Sequence, residues 1–279
     1  MIVIGSRGSQ LALWQARHIA AKLNVETRIE IIKTTGDKIQ DVPLSQVGGK
    51  GLFTKEIEEA LLDCRIDLAV HSLKDMPSEL PSGLILAAIP EREDPRDALV
   101  GAPLKTGAHV GTSSLRRAVQ LANLNLELTI ESLRGNVDTR LRKLDEGQYD
   151  TIVLAAAGLR RLGWADRISE LIPVDVMIPA VGQGALAIET RDDDGDAQRI
   201  ARTLDHECSR IAITAERAFL AVFGGGCQVP IGAHATIDGS SIHLRAFVSE
   251  PDGSNVRRDE LTGDDPVDVG RRLANQLTG

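Results

Sequence analysis

Short apolar runs alternate with amphipathic stretches along most of the chain, and this alternation predicts the elements of the fold. Runs such as Ile2-Val-Ile4 and Leu68-Ala-Val70 are long enough for buried strands. Between such runs, apolar residues recur at helical spacing, as in Ala12, Ala16 and Ile19. The order strand, polar turn, helix appears in both halves, which predicts an α/β fold with mostly parallel strands.

The C-terminal part departs from this pattern. Apolar spacing predicts a helix over 211–222, and alternating residues predict strands at Ala233–Ile237 and Ile242–Val248. A closing helix is predicted at Val267–Leu277. These elements indicate a small α/β domain at the end of the chain.

Three further stretches carry structural expectations. The charged, proline-flanked segment 90–97 predicts a linker into a second domain. Residues 38–52 form a long, polar, glycine-rich segment, which is typical of a mobile lid. Cys64 falls on the apolar face of a predicted helix, so we expect it to be a small core residue.

Composition and charge exclude several classes of protein. The 279 residues include 32 Lys and Arg against 40 Asp and Glu, a formal net charge of −8, which argues against broad binding of nucleic acid or anionic membranes. Aromatic residues make up only 3%, so a base-stacking site is not expected. The sequence shows neither a signal-peptide pattern nor a membrane-spanning run, and its three cysteines lack paired spacing, which predicts a cytoplasmic protein.

Basic and hydroxyl residues gather where predicted helices begin. Arg7 and Ser9 lie in a Gly/Ser turn before a helix, and Arg116 and Arg117 lie in a first turn after Thr112-Ser-Ser114. Cations at a helix start oppose the helix dipole, and a bound carboxylate or phosphate would offset that cost. The alternative is a turn of no function with exposed arginines.

A Lys-Asp pair follows the predicted strand at 68–70, where open α/β sheets bind ligands. Lys74 and Asp75 can grip an anion and face a cation there, although such a pair is more often only solvated. A set of basic residues then converges on one cleft and predicts a polyanionic small ligand. These residues are Lys74, Arg7, Arg116, Arg117, Arg134, Arg140 and Arg161.

Cys227 lies on a triple-glycine loop, which lets the backbone approach a ligand and leaves the thiol accessible. A structural role and covalent chemistry both remain open for it on these grounds. No set of His and Cys residues has metal-ligand spacing, so no metal is expected.

Many segments in order resemble the porphobilinogen deaminase (hydroxymethylbilane synthase) family, and the resemblance runs from end to end. The N-terminal half carries Gly5-Ser-Arg7-Gly-Ser9, Thr34-Thr-Gly-Asp37, Gly49-Lys-Gly-Leu-Phe53 and Ala69-Val-His-Ser-Leu-Lys-Asp-Met-Pro77. The rest carries Gly111-Thr-Ser-Ser-Leu-Arg-Arg117, Leu133-Arg-Gly-Asn-Val137, Pro179-Ala-Val-Gly-Gln-Gly184, Glu216-Arg-Ala-Phe-Leu220 and Gly225-Gly-Cys-Gln-Val-Pro-Ile231.

The resemblance implies an α/β fold of two periplasmic-binding-protein-like (type II) domains around a cleft, plus a small C-terminal α/β domain. The first domain would be discontinuous, formed by residues 1–90 and 185–204. The second would span 91–184 and carry the anion-binding arginines. The third would span 207–279 and carry the cofactor cysteine.

The resemblance also implies an activity and roles for residues. The enzyme joins four porphobilinogen molecules head to tail with release of ammonia, in haem biosynthesis, and is primed on a dipyrromethane held by a thioether to Cys227. Asp75 would be catalytic. The cofactor ligands would be Ser72, Lys74, Thr112, Ser114, Arg116 and Arg117. The substrate ligands would be Arg7, Ser9, Arg134, Arg140, Arg161 and Gln183. The expected protein is a monomer with no nucleic-acid or membrane partner.

Two other classes of protein compete with this interpretation. A solute-binding receptor could share the two-lobed fold, but its secretion signal is missing from the sequence and it needs neither Asp75 nor a thiol on a glycine loop. A DNA-binding regulator with an anion-sensing domain lacks a basic helix-turn-helix segment.

Overall fold

The structure is a computed structural model and describes residues 1–38, 51–124, 126–224 and 229–278. The strands within these residues form three sheets. The strands are β1 Ile2–Ser6, β2 Thr27–Ile31, β3 Leu68–Ser72, β4 Leu84–Ala88, β5 Asp97–Gly101, β6 His109–Gly111, β7 Thr129–Glu131, β8 Thr151–Ala155, β9 Glu170–Leu171, β10 Leu186–Arg191, β11 Ile231–Asp238, β12 Ser241–Val248 and β13 Arg257–Gly263.

The helices connect and cover these strands. They span Gln10–Lys22, Thr35–Lys38, Lys55–Leu62, Leu115–Ala122, Val137–Asp145, Ala156–Arg161, Asp196–Arg202, Glu207–Val222 and Pro266–Thr278, with short 3₁₀ turns at Leu73–Asp75 and Ala165–Arg167. Most of them lie where apolar spacing predicts a helix. Two predictions concern residues that the structure does not describe. Most of the segment 38–52, predicted as a lid, and Cys227 lie outside the described residues.

The first two sheets share one plan. Their strand orders are β2-β1-β3-β10-β4 and β7-β6-β8-β5-β9. In each sheet the first three strands in this order are parallel, and the last two pairings are antiparallel. In each of these sheets a single strand, β10 or β5, therefore runs against the other four, and the prediction of mostly parallel strands is confirmed. The fourth strand in each order is the first strand after the chain crosses over from the other sheet. It therefore enters from the edge at the cleft and runs opposite to the strands on either side of it.

Strand β10 shows how late residues join an early sheet. It lies between β3 and β4, with Ile188 opposite Val70 on one side and Ala88 on the other. Its residues Leu186–Thr190 are all buried, because both faces of this sheet are covered. We call this sheet with its helices the first lobe, and the sheet containing β5 to β9 the second lobe. The limits of three domains stay a prediction.

The two crossings between the lobes touch each other. Gly184 has φ +88, and a Cβ there would lie 2.3 Å from the carbonyl oxygen of Glu93. Only glycine allows so close a backbone approach at that φ. Residues 90–96 of the predicted linker do connect the two sheets. Arg92 holds this segment in place, because its guanidinium binds both carboxylate oxygens of Glu216.

The C-terminal unit is an antiparallel sheet of β11, β12 and β13 covered by two helices, Glu207–Val222 and Pro266–Thr278. Its core is separate from the cores of the two lobes and contains Phe219, Leu244 and Leu273, all fully buried. Strand β13 carries no clear apolar alternation, so the sequence pattern did not predict it.

Cys64 is not a core residue, contrary to expectation. The helix ends at Leu62, and Cys64 follows in a turn with φ 58 and an exposed side chain. Apolar spacing carried past the true helix end gave the wrong prediction. Across the described parts of the chain, no helix is long and apolar enough to cross a membrane.

Candidate active site

A cavity of about 1000 Å³ lies between the two lobes, and both contribute to its wall. The first lobe contributes the turn after β1 and the end of β3. The second lobe contributes the starts of the helices at 115–122, 137–145 and 156–161. These are the carboxyl ends of strands and the amino ends of helices, where α/β proteins bind anionic ligands.

The end of β3 places a lysine and an aspartate in this cavity. After Ser72 the chain turns through one 3₁₀ turn, in which Leu73 is buried while Lys74 and Asp75 face the cavity. Ser72 accepts a hydrogen bond of 2.9 Å from the side chain of Gln15. The turn buries Leu73 and Met76 and leaves the two charged side chains between them facing the ligand space.

The surroundings of Lys74 destabilise its positive charge. Solvent reaches its side chain through the cleft, but protein surrounds it closely. This burial, together with the neighbouring Arg117 and Arg116, lowers the pKa of Lys74 to about 8, although Asp75 and Asp97 oppose the shift. An anion bound beside Lys74 would raise this pKa and stabilise the charged form.

Arg7 is held at the opposite end of the first-lobe wall. Its guanidinium pairs with Asp37 at 2.5 Å and lies 4.1 Å from the centroid of the Phe53 ring. Burial raises the pKa of Asp37, but Arg7 and Thr34 outweigh it and lower the pKa. Ser9 caps the following helix by accepting a hydrogen bond from the Ala12 N–H.

The two arginines in the first turn of the helix at 115–122 are already paired with a carboxylate side chain. Ser114 caps the helix at the Arg117 N–H. The Arg117 guanidinium binds Asp97 Oδ1 at 2.7 Å, and Arg116 lies 2.8 Å from Asp97 Oδ2. The anion predicted to offset two cations at a helix start is thus, in part, a carboxylate of the same chain.

Sequence reasoning missed Asp97. The charged, proline-flanked pattern predicts Asp97 as the last residue of a linker, whereas Asp97 is fully buried and begins β5. A signal was present, because an apolar run at 98–100 follows it directly. Sequence reasoning also missed Gln15, Asp37 and Phe53 as partners of predicted site residues.

Three more arginines line the second-lobe side. Arg140 donates to the carbonyl of Gly135 at 2.7 Å, and Arg161 donates to the carbonyl of Gly184 at 2.6 Å. Burial and the nearby Arg117 and Arg134 lower the pKa of Arg140 to about 10, and burial lowers that of Arg161 to about 10. Both remain charged at neutral pH, at an electrostatic cost that an anionic ligand would relieve.

The structure brings most of the predicted site residues to one cavity. Lining it are Arg7, Ser9, Ser72, Lys74, Asp75, Arg117, Arg134, Arg140 and Arg161. Four others do not line it, namely Thr112, Ser114, Arg116 and Gln183. Gln183 is buried and donates to the carbonyl of Pro95 and to Asp97 Oδ1. The roles given to these four as ligands stay predictions.

The charge of the cavity is opposite to that of the chain. Its described wall carries eight basic side chains and three carboxylates. The basic residues are Arg7, Lys33, Lys74, Arg117, Arg134, Arg140, Lys143 and Arg161, and the acidic ones are Asp37, Asp75 and Asp138. In a protein of net charge −8 this reversal fits a ligand with several carboxylates. The described residues contain no group of three or more His, Cys, Asp or Glu able to hold a metal.

Comparison with known proteins identifies the family. Residues 2–199 match the family model "Porphobilinogen deaminase, dipyromethane cofactor binding domain". The porphobilinogen deaminase of Roseiflexus sp. (strain RS-1) is 54% identical over 288 residues, covering 99% of this chain and 95% of that protein. The chain belongs to the porphobilinogen deaminase family. Residues 210–279 match the family's C-terminal domain model.

Other relatives agree with this membership. The porphobilinogen deaminase of Brevibacillus brevis is 50% identical over 98% of this chain and 93% of that protein. A solved substrate-binding domain of a putative amino acid ABC transporter from Streptococcus pneumoniae covers 80% of this chain and 95% of its own, with 12% identity and a TM-score of 0.43. That score is too low to support an argument.

Family membership settles the activity and the cofactor. The chain is a transferase that condenses four porphobilinogen molecules head to tail with release of ammonia, giving hydroxymethylbilane. Its cofactor is dipyrromethane. The cationic cavity fits this group, since each ring of a dipyrromethane carries an acetate and a propionate.

Proposed function

We propose that the cavity between the lobes is where porphobilinogen units are bound and joined, and that its residues divide into two roles. The basic side chains bind the carboxylates of cofactor and growing chain. Asp75 stabilises the positive charge that develops on the reacting ring. The observation that carries this proposal is the excess of eight cations over three carboxylates in the wall, with Asp75 among them.

The carboxylate ligands would act as fixed charges. Arg117 on the second lobe lies close enough to lower the pKa of Lys74 on the first, so these two residues form one subsite across the cleft. Arg134 and Arg140 also interact electrostatically and form a second subsite, on the second lobe and next to Arg117. We assign the first to the cofactor, together with Ser72, and the second to the substrate. Charge-assisted hydrogen bonds of this kind are stronger than neutral ones.

Asp75 would act on the step that makes the electrophile. Loss of ammonia from porphobilinogen leaves a cationic azafulvene, and a carboxylate beside the pyrrole N–H lowers the energy of that cation. The 3₁₀ turn fixes Asp75 between buried Leu73 and Met76, so little reorganisation is needed as charge develops. Lys74 and Arg140 lie near enough to interact electrostatically with Asp75.

Attachment of the cofactor is assigned to Cys227. When bound, the dipyrromethane supplies the covalent primer to which the first substrate ring is added. The other two cysteines, Cys64 and Cys208, are exposed and do not line the cavity between the lobes. We also propose that the protein is a cytoplasmic monomer without a nucleic-acid partner.

Intact-mass spectrometry of the purified protein tests the assignment. The mass should exceed that of the polypeptide by two porphobilinogen units less two ammonia molecules. Cys227→Ala should return the bare mass and abolish turnover. Cys64→Ala and Cys208→Ala are matched controls and should keep both adduct and activity. An adduct that survives Cys227→Ala would refute the attachment site.

A further inference from the structure

One carboxylate lies behind the cationic wall and contacts several of its residues. Asp97 is fully buried at the start of β5. Its Oδ1 accepts hydrogen bonds from Arg117 Nε at 2.9 Å, from Arg117 at 2.7 Å through a second nitrogen, and from Gln183 at 3.0 Å. Its Oδ2 lies 2.8 Å from an Arg116 nitrogen. Burial raises the pKa of Asp97, but Arg116 and Arg117 outweigh it and keep the pKa far below its usual range.

The two arginines are held from two sides. Arg117 also donates to the carbonyl of Val153 at 3.0 Å, and Arg116 donates to the carbonyl of Ile178 at 2.7 Å. A guanidinium has five N–H donors in a fixed plane. The contacts of Arg117 with Asp97 and Val153 use three of them and fix the plane, while the side chain still lines the cavity. Two donors therefore remain for a ligand in a set direction.

Without Asp97, three cations would face one another. Arg117 and Arg116 both lower the pKa of Lys74, and Arg117 also lowers the pKa of Arg116. Mutual repulsion of such groups is strong where solvent is partly excluded. The negative charge of Asp97 offsets it from behind the wall, outside the space that a ligand occupies.

We propose that Asp97 is a positioning residue of this enzyme: its contacts with Arg117 and with the neighbouring Arg116 hold the Arg117 guanidinium in the orientation that receives a carboxylate. The inference rests on the proposed role of Arg117 as a carboxylate ligand. Asp97 itself does not line the cavity, so it acts through the arginines and not on the substrate.

The principal test compares Asp97→Asn with a matched control, Asp94→Asn. Asp94 lies in the same segment and pairs with Arg96 and Arg160, but it contacts neither Arg116 nor Arg117. In full-length apoprotein at pH 7, the efficiency of loading with preformed cofactor should fall at least about tenfold in Asp97→Asn, as expected when a charge-assisted contact to a cofactor carboxylate is lost. In Asp94→Asn it should stay within about twofold.

A second readout follows the charge of Lys74. The groups that set it are Arg117 and Arg116 on one side and Asp75 and Asp97 on the other. Loading of the full-length apoprotein with preformed cofactor should fall above pH 8 in the unmodified chain. In Asp97→Asn this fall should begin about one pH unit lower, because one of two opposing negative charges is gone.

Asp97→Glu keeps the charge and moves it by one methylene. The pH at which loading falls should then stay near that of the unmodified chain, while loading at pH 7 is still reduced because the guanidiniums are displaced. If Asp97→Asn does not fold, as judged by circular dichroism, Asp97→Glu takes its place in the comparison of loading at pH 7.

Two results would overturn the inference. One is unchanged loading with cofactor in the folded Asp97 variant, and the other is an equal effect of the changes at Asp97 and Asp94. Normal loading of Arg117→Leu apoprotein would instead refute the proposed carboxylate role of Arg117, so the two failures are distinguishable.

Discussion

The two walls of the cavity differ in charge although their lobes share one strand plan. The first lobe offers Arg7 already paired with Asp37, Lys74 beside Asp75, and one further cation, Lys33. The second lobe offers Arg117, Arg134, Arg140, Lys143 and Arg161 against the single carboxylate Asp138 among its described lining residues. One wall is close to neutral and the other is strongly cationic.

This difference shows how one scaffold serves two tasks. A wall of cations at helix starts suits the binding of carboxylates, whatever the ring to which they belong. A wall on which one carboxylate stands near a weakly solvated lysine suits the stabilisation of a transient cation. If the division is real, changes on the first wall should affect chemistry more, and changes on the second wall should affect binding more.

The largest effect should come from Asp75. In holoenzyme supplied with preformed cofactor, Asp75→Asn should lose about 10²–10³-fold in the rate of ammonia release, since it removes the charge but keeps the size. Asp75→Glu keeps the charge and should retain measurable activity. Single-turnover ammonia release measures both variants. Asp138→Asn neutralises a carboxylate on the opposite wall and should lose less than about tenfold. Release at the normal rate in Asp75→Asn would show that Asp75 is only a turn residue.

A smaller effect should come from the second wall. Arg140→Leu should lower kcat/KM by roughly 10- to 150-fold, which corresponds to about 1.5–3 kcal/mol for one charge-assisted contact. Arg142→Leu is the matched control on the same helix, because Arg142 is exposed, pairs with Glu146 and does not line the cavity. Steady-state kinetics and mass spectra of the bound intermediates measure the difference. Equal kinetics in the two variants would remove the helix at 137–145 from the binding wall.

The smallest effect should be a pH dependence that Lys74 gives to the apoprotein. Its pKa is lowered from 10.5 to about 8 in the folded chain, so the fold favours the uncharged form. Lys74 should therefore add stability as pH rises from about 8 to 10.5, while loading with cofactor weakens over the same range, by about tenfold per unit at most. Lys74→Arg stays charged and should load equally well at pH 7 and pH 9.

Thermal unfolding and the rate of cofactor loading, both measured against pH, check this last prediction. The two quantities should move in opposite directions in the unmodified chain. Loading that is independent of pH between 7 and 10 in the unmodified chain would contradict it.

Much of the fold and site could be predicted because local pattern determines local structure. Apolar periodicity placed most strands and helices, and the residues predicted as ligands after β1 and β3 from their place at strand ends do line the cavity. The family motifs led to the activity, and the comparisons with family members confirmed it.

The tertiary structure alone decided which chain segments meet. No periodicity indicates that β10 inserts between β3 and β4, or that half of the pairings in the two large sheets are antiparallel, because strand direction depends on where the chain crosses the cleft. Asp97 looked like a linker residue, and only the folded chain brings it, across 20 residues, under Arg117. Sequence alone determined which side chains carry charge, while their burial and neighbours determined that Lys74 titrates near pH 8 and that Asp97 stays ionised, since those depend on distances between segments far apart in the chain.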